Sequence, residues 1–167
     1  NGHSEILLAG RNGRCCRFDE SDARALGRTA SGVRGINIEE DDEVVGMITY
    51  DPNAEDAAAH SILVVSENGF GKRSDFDEYR KTNRGGKGVK TLNITEKTGS
   101  LVAMKNVTDE NDLMIINKSG LTIRMAVSDI RVAGRATQGV KLINIKEGDS
   151  IAAISAVNKG EEEENNE

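Results

Sequence analysis

The chain has 167 residues, of which 37% are hydrophobic and 30% charged, with 18 glycines and a single proline. This composition is typical of a globular domain, and no apolar run approaches the roughly 20 residues of a membrane helix. The formal net charge of −6, counted over the whole chain, argues against a polyanionic partner. Residues 1–8 lack the layout of a signal peptide, so we expect a soluble, cytoplasmic protein. The missing start methionine indicates a piece of a longer chain.

The sequence contains three copies of one pattern. The copies read GRTASGVRGINI, NRGGKGVKTLNI and GRATQGVKLINI and begin at residues 27, 83 and 134. Fifteen residues before the first arginine of each copy stands a glycine, namely Gly13, Gly69 and Gly120. Because this interval is kept without insertion, the sequence predicts three units with the same fold.

Each unit contains short apolar runs rich in Ile, Val and Leu. One run precedes the glycine, at 6–9, 62–65 and 113–116, and another follows the Asn-Ile pair, at 44–45, 101–102 and 151–152. Runs of this length between Asn-Gly, Ser-Gly or charged turns predict strands, four in each unit. We expect at most a turn or one helical turn at 19–26 and 75–81, and a loop insertion at 49–61, which holds Pro52.

Four strands per unit at this period predict an all-β fold, a propeller-like array of about three four-stranded blades. The predicted repeats are about 5–48, 61–105 and 112–157, within one domain at 1–158. Residues 159–167 form an acidic tail that is not expected to fold alone. The tail is either a solubilising end or a segment that lies over basic residues and competes with a ligand. Three blades are not expected to close a ring by themselves.

The charges are segregated along the chain. The equivalent windows 13–34, 69–90 and 120–141 hold 16 Lys or Arg against 7 Asp or Glu. The rest of the chain is strongly acidic, above all at 39–43 and in the tail. Since the windows are equivalent by repeat, a propeller would place all three on the same part of each blade. The sequence therefore predicts a basic band along the outer edge of the array.

A curved basic band suits double-stranded DNA, which such surfaces bind through its phosphates with little base readout. Five aromatic residues and no tryptophan are too few for the stacking platforms that single strands prefer. Gly85, Gly86 and Gly88 are predicted to let a phosphate approach the backbone closely. The predicted phosphate contacts are Arg28, Arg34, Lys72, Arg73, Arg84, Lys87, Lys90, Arg124, Arg135 and Lys141.

One segment carries a family resemblance. Residues 82–88, TNRGGKG, match five of the seven positions of the gyrase-A box, Gln-basic-Arg-Gly-Gly-Lys-Gly, and depart from it at Thr82 and Asn83. Together with the flanking repeats, the chain resembles the later repeats of the C-terminal domain of the DNA gyrase A subunit. The resemblance implies a six-bladed β-pinwheel that wraps DNA and supports ATP-dependent negative supercoiling. In that family the box lies in the first blade, whereas here the box-like segment lies in the middle repeat.

The resemblance also implies a fragment without a catalytic centre, metal or cofactor, because ATP and Mg²⁺ would bind other domains of the parent topoisomerase. The implied partners are the rest of the gyrase A subunit, together with the gyrase B subunit, in a heterotetramer of two A and two B, with no membrane contact. A propeller that binds protein partners and the C-terminal domain of the topoisomerase IV A subunit stay open as alternatives. An enzyme is least favoured, because His3 and His60 lack a visible nucleophile partner and the 39–43 acids fit a solvated turn.

Overall fold

The computed structural model describes residues 2–23, 25–134 and 139–159. The described residues form eleven strands. They are β1 (Glu5–Gly10), β2 (Arg14–Asp19), β3 (Val44–Tyr50), β4 (Ser61–Ser66), β5 (Phe70–Ser74), β6 (Val89–Lys90), β7 (Leu101–Val107), β8 (Asn111–Asn117), β9 (Thr122–Ala126), β10 (Val140–Lys141) and β11 (Ile151–Asn158). The predicted all-β fold is confirmed. No helix in these ranges has the length and apolar character of a membrane span.

Glycine turns join the central hairpins, as the sequence predicts. The φ angles of Gly13, Gly69 and Gly120 are 87°, 89° and 88°. A residue with a side chain would be strained in this backbone conformation. Short 3₁₀ helices follow two of these hairpins at Glu20–Asp22 and Phe76–Glu78, where the sequence indicated one helical turn. A third, at Val127–Asp129, was not predicted although it lies at the equivalent position of the third repeat.

The strands form three antiparallel sheets. From the inner to the outer edge, their orders are β3-β1-β2-β6, β7-β4-β5-β10 and β11-β8-β9. We call β3, β7 and β11 inner strands because neighbouring sheets contact each other through them, β3 against β7 and β7 against β11. The opposite sheet edges, which carry β6 and β10, therefore point away from these contacts.

The outermost strand of a sheet comes from the following repeat. In the first sheet, β6 of the second repeat pairs with β2, with Lys90 opposite Arg14. In the second sheet, β10 of the third repeat pairs with β5, with Lys141 opposite Phe70. The second and third repeats each contain the four predicted strands, but one of the four completes the sheet of the preceding repeat. Equivalent residues 33–34 form no strand, and the third sheet has three strands within the described ranges.

The hydrophobic cores lie between the sheets. The first core joins Leu7 and Ile48 of the first sheet to Val64 and Met104 of the second. The second core joins side chains of the second sheet, such as Leu63, to others of the third. Because the middle sheet contributes to both cores, every residue of β4 is buried. Burial of apolar surface between blades is thus the main term that holds the array together.

Because β6 pairs with the sheet of the first repeat, Gly88, which precedes β6, packs against that sheet. A Cβ atom there would lie 2.4 Å from the Cys15 carbonyl oxygen, whereas one on the equivalent Gly32 would meet nothing within 4 Å. Both glycines have φ near 80°. We expect Gly88→Ala to lower the free energy of unfolding by about 2 kcal/mol and Gly32→Ala by about 1 kcal/mol. Urea denaturation of both variants checks this, and equal losses would contradict the packing role of Gly88.

Both cysteines are reduced and buried. Burial raises the pKa of the Cys15 thiol, and the neighbouring Cys16 adds to this shift. Because the thiolate is the reactive form, we expect Cys15 to resist alkylation at neutral pH in the folded protein and to react at once in guanidinium. Mass spectrometry after iodoacetamide treatment measures this. Rapid modification of the native protein would show that the core opens.

Candidate nucleic-acid interface

Basic side chains recur at fixed positions in the segments that lead to the outermost strands. We call residues 25–34, 80–90, 131–134 and 139–141 the outer segments. Two rows follow the repeat spacing as predicted, Arg28, Arg84 and Arg135, and Arg34, Lys90 and Lys141. Arg135 lies outside the described residues. Arg28, Arg34, Lys90 and Lys141 are exposed, whereas Arg84 is half-buried.

A third row was missed by the sequence analysis. Arg80 and Arg131 are exposed at equivalent positions, each two residues after the end of the 3₁₀ helix in the second and third repeats. Arg24 holds the same register in the first repeat but lies outside the described residues. The repeat spacing that revealed the other rows could have found this one.

Lysines also gather around one aromatic ring at the outer edge. The Nζ atoms of Lys97 and Lys141 lie 5.4 Å and 5.7 Å from the centre of the Phe70 ring. Lys141 was predicted as a contact, and Lys97 was missed because it lies outside the basic windows. The Phe70 ring attracts both ammonium groups and so favours their positions near it. The outer edge of the second sheet thus concentrates positive charge.

The glycine-rich segment is fastened to the first repeat. The Arg84 guanidinium donates to the carbonyl oxygens of Asp22 and Arg34, at 2.8 Å and 3.0 Å. The Gly85 amide donates to the Gly35 carbonyl at 2.6 Å, and the Gly86 carbonyl accepts from the Asn37 amide at 2.8 Å.

This arrangement changes the role expected of the glycines. The Gly85 amide is already hydrogen-bonded to the first repeat, so it is not available to a phosphate. Gly88 packs against Cys15. Lys87, on the same loop, is exposed. The segment therefore joins two blades and presents one lysine outward.

Two predicted phosphate contacts lie in the interior. Lys72 and Arg73 are 2% and 5% exposed. The Lys72 ammonium donates to the Gly134 carbonyl at 2.9 Å. Arg73 donates to Ser61 Oγ at 2.9 Å and to Asp109 Oδ1 at 2.7 Å. The prediction that these side chains clamp DNA needs correction, because their charged groups are occupied within the protein.

Arg73 belongs to a set of arginines that join consecutive repeats. Its Nη1 atom lies 3.3 Å from the carbonyl oxygens of both Val127 and Ile130, at the 3₁₀ helix of the third repeat. Arg17, at the same register, donates to the carbonyls of Phe76 and Tyr79 in the second repeat, at 2.6 Å and 2.8 Å. We call Arg17 and Arg73 the inter-repeat arginines.

The third member of that register is Arg124. Its Nε atom donates to Asp112 Oδ2 at 2.8 Å, a carboxylate of its own sheet. The side chain is 28% exposed, so Arg124 presents less charge to a ligand than the prediction assumed. The sequence could not separate these three arginines from those on the surface, because both sets follow the repeat spacing.

The acidic residues and histidine serve local structure. Asp42 Oδ1 accepts hydrogen bonds from the amides of Asn12 and Glu43, at 3.0 Å and 2.9 Å, as in a solvated turn. His60 lies 3.0 Å from Asp56 Oδ2, and this hydrogen bond lowers the pKa of Asp56. In the part of the chain that the structure describes, no three His, Cys, Asp or Glu side chains are grouped as metal ligands. Tail residues 160–167 lie outside that part.

Comparison with known proteins supports a shared family for all three repeats. The family described as "DNA gyrase C-terminal domain, beta-propeller" matches residues 4–51, 60–108 and 111–158. The DNA gyrase A subunit of Staphylococcus epidermidis is 46% identical over 98% of this chain, and that of Staphylococcus aureus is 45% identical over 100%. The chain spans 18% of the length of these relatives.

Solved structures share the fold at low sequence identity. A C-terminal domain of DNA topoisomerase IV superposes with a TM-score of 0.84 at 24% identity, over 94% of this chain and 47% of that one. A DNA gyrase A C-terminal domain gives 0.79 at 23% identity, over 92% and 50%. The three matched segments coincide with the three sequence repeats, and the chain belongs to the DNA gyrase C-terminal domain family of beta-propellers.

Proposed function

We propose that this chain binds double-stranded DNA along its outer segments and bends it around the array, as the non-catalytic C-terminal part of the DNA gyrase A subunit. The observation that carries the proposal is the recurrence of exposed basic residues at equivalent positions of successive blades. Lys90 and Lys141 illustrate it, since each lies on the outermost strand of its sheet. Because successive blades repeat the same basic positions, these residues would face the phosphates of a duplex bent around the array.

Electrostatics favours this surface despite the net charge of −6. At physiological salt, charges separated by more than about 8 Å are largely screened from each other, so a bound duplex responds to the local basic band. Neutralised phosphates release counterions, which makes binding strong at low salt and weak at high salt. Phosphate contacts carry no sequence information, and the cost of bending DNA is offset by the phosphate contacts that the bend adds.

The wider setting follows from the relatives, which are named as gyrase A subunits. The parent would be a type IIA topoisomerase of the bacterial cytoplasm that introduces negative supercoils. ATP and Mg²⁺ would act in other domains of that enzyme. This chain would work beside the rest of the gyrase A subunit, together with the gyrase B subunit, in a heterotetramer of two A and two B. Its own part in the reaction would be to position DNA.

The fold likeness to a topoisomerase IV domain supports a second candidate, the equivalent domain of the topoisomerase IV A subunit. That likeness rests on 24% identity, whereas relatives at 45–46% are named gyrase. Supercoiling of relaxed plasmid by the parent enzyme would support gyrase, and decatenation without supercoiling would support topoisomerase IV. A protein-binding propeller is the remaining alternative, and its binding would be insensitive to salt.

The test is a titration with a short duplex that carries one fluorophore at each end, at several salt concentrations. We expect tight binding that weakens steeply with salt, together with a shorter end-to-end distance in the complex. Binding without a shorter end-to-end distance would mean that this chain holds DNA but that another part of the parent protein bends it. No binding at low salt would overturn the proposal in favour of a protein partner.

A further inference from the structure

Two clefts of similar size lie where consecutive repeats meet, at the end of the sheets that carries the central hairpin turns. We call this end the hairpin end. The first cleft, of about 300 Å³, lies between the first and second repeats and is lined by Arg11, Asn12, Asp41, Asp42, Ile94 and Ser100. The second cleft, of about 280 Å³, lies between the second and third repeats, and its lining includes Phe70, Lys97, Lys141 and Lys146. Each cleft is bounded by two consecutive repeats of this chain, so neither is an end of the array.

The two clefts differ in charge at one equivalent turn. Lys97 holds the position in the second repeat that Asp41 holds in the first. The turn at 39–43 consists of five acidic residues, whereas the turn at 95–99 contains one glutamate and one lysine. The lining of the second cleft has three lysines and two carboxylates, and that of the first has one arginine and two carboxylates. The second cleft is thus the basic counterpart of an acidic one.

Hydrogen bonds hold the turn that carries Lys97 on its own hairpin. Asn68 Nδ2 donates to the carbonyl oxygens of Glu96 and Lys97, at 3.2 Å and 3.3 Å. The Asn68 amide donates to the Thr98 carbonyl at 3.0 Å. Because the backbone of the turn is fixed in this way, the Lys97 ammonium stays near the Phe70 ring, 5.4 Å from its centre.

The opposite wall of the second cleft comes from the third repeat. Lys141 Nζ lies 5.7 Å from the centre of the same Phe70 ring, and Lys146 is exposed. Of the two carboxylates in the lining, that of Asp149 accepts a hydrogen bond from Ser119 Oγ at 2.7 Å and so is held by its own hairpin. The three lysines therefore approach the cleft from both repeats and give it an excess of positive charge.

We propose that a backbone phosphate of double-stranded DNA binds in the second cleft and draws the duplex from the outer segments toward the hairpin end at this junction. The inference rests on the proposed function. A space of 280 Å³ is several times the roughly 30 Å³ that one water molecule occupies, so it admits a phosphate group with part of its hydration. At the first junction, the acidic turn at 39–43 repels the duplex and keeps it on the outer edge.

The cleft continues the basic band beyond the outer segments. Lys141 belongs to one of the basic rows, and Lys97 shares the Phe70 ring with it although it lies outside those rows. Since interactions beyond about 8 Å are largely screened at physiological salt, a phosphate responds to the charges nearest to it. The difference between the two turns therefore acts at each junction separately. It makes the path of DNA unequal at the two junctions.

The first test places a photo-crosslinker at two equivalent positions. Glu40 and Glu96 directly precede Asp41 and Lys97, and both side chains are exposed. The variants Glu40→Cys and Glu96→Cys remove the same charge, so each is the matched control of the other. Each new cysteine is labelled with an azidophenacyl group, which the buried native cysteines resist. The labelled chain is irradiated with a saturating amount of a short duplex, and the crosslinked fraction is measured.

We expect the Glu96→Cys variant to crosslink to DNA in at least about fivefold higher yield than the Glu40→Cys variant, because only the second cleft brings the duplex to the hairpin end. Equal yields at the two positions, or no crosslink at position 96, would overturn the inference. Competition with an excess of unlabelled duplex should remove the crosslink. A crosslink that persists would come from nonspecific contact and would also count against the inference.

Exchanging the charges gives a second, independent readout. Lys97→Asp should lower the slope of log affinity against log salt by about 0.9, the contribution of one phosphate. Asp41→Lys should raise the slope by the same amount, a gain that a damaged fold would not produce. The control is Glu55→Lys, which makes the same change of charge as Asp41→Lys at an exposed residue of the 51–60 loop, at the opposite end of the strands. It should leave the slope unchanged.

The outcomes separate this inference from the proposed function. A substituted chain is compared with the unsubstituted 167-residue chain under the same conditions. If the unsubstituted chain binds duplex with a steep salt slope, and Lys97→Asp and Asp41→Lys leave that slope unchanged, only the role of the second cleft is overturned. An equal rise in slope for Asp41→Lys and Glu55→Lys would show that total charge is responsible, and it would overturn the role of the cleft as well. No binding by the unsubstituted chain at low salt would overturn the proposed function itself.

Discussion

Arg73→Ala is expected to lower the free energy of unfolding by about 3–5 kcal/mol, because it removes a buried charge that bridges two repeats. The guanidinium bonds to Ser61 and reaches the carbonyl oxygens of Val127 and Ile130. Alanine would remove this donor from the Ser61 and Ile130 oxygens, whereas the Val127 carbonyl keeps the Ile130 amide. Each buried oxygen that loses its partner costs about 1–3 kcal/mol. Asp109 contributes less to this sum, because its carboxylate is largely exposed and screened by water.

Urea denaturation followed by circular dichroism measures the loss. Arg124→Ala is the matched control, because it removes the same side chain at the same register, from a site that is more exposed. The Arg124→Ala variant should lose about 1 kcal/mol of its free energy of unfolding. Arg73→Lys should not rescue stability, since a compact ammonium does not reproduce the planar fork of N–H groups that reaches these separate acceptors. A folded Arg73→Ala variant of normal stability with weakened DNA binding would favour the original prediction that Arg73 contacts phosphate.

The triple variant Arg34→Gln, Lys90→Gln and Lys141→Gln is expected to weaken DNA binding about 10- to 100-fold at low salt. It removes one row of the basic band, one residue from each repeat. Since each phosphate contact contributes about 0.9 to the slope of log affinity against log salt, the slope should fall by about 3. Base preference should not change, because phosphate contacts carry no sequence information. Fluorescence anisotropy at several salt concentrations gives both quantities.

The control carries the same change of charge away from the outer segments, at Lys105, Lys118 and Lys159, all changed to Gln. Lys105 lies on the inner strand β7, Lys118 directly follows β8, and Lys159 directly follows β11. This variant should keep most of the salt slope. If both triple variants lose affinity equally, the protein acts through its overall charge, and the basic band would not be the binding surface.

The glycine loop shows how far a motif can be interpreted without coordinates. The pattern at 84–88 identified the family, and its arginine and glycines do lie at the outer edge. Their partners were not visible in the pattern, because Gly85 and Arg84 bond to residues about 50 positions earlier in the chain. A motif indicates which groups are present. Which of them are already occupied depends on contacts between distant segments.

The sequence by itself determined the class of fold and the number of units. Strand length, turn glycines and repeat spacing are local properties, so they predicted the all-β array, the hairpin turns and most of the basic rows. The row at Arg80 and Arg131 was equally available in the spacing and was overlooked.

Only the tertiary structure decided which strand belongs to which sheet and which arginine faces water. A strand such as Val89–Lys90 pairs with the sheet of the previous unit, and nothing in its own sequence specifies that partner. Arg73 and Arg84 hold registers that recur in every unit, yet Arg73 is buried against the next 3₁₀ helix. The physical reason is that the periodicity places a side chain within its own unit, whereas its burial is set by the packing of one unit against the next.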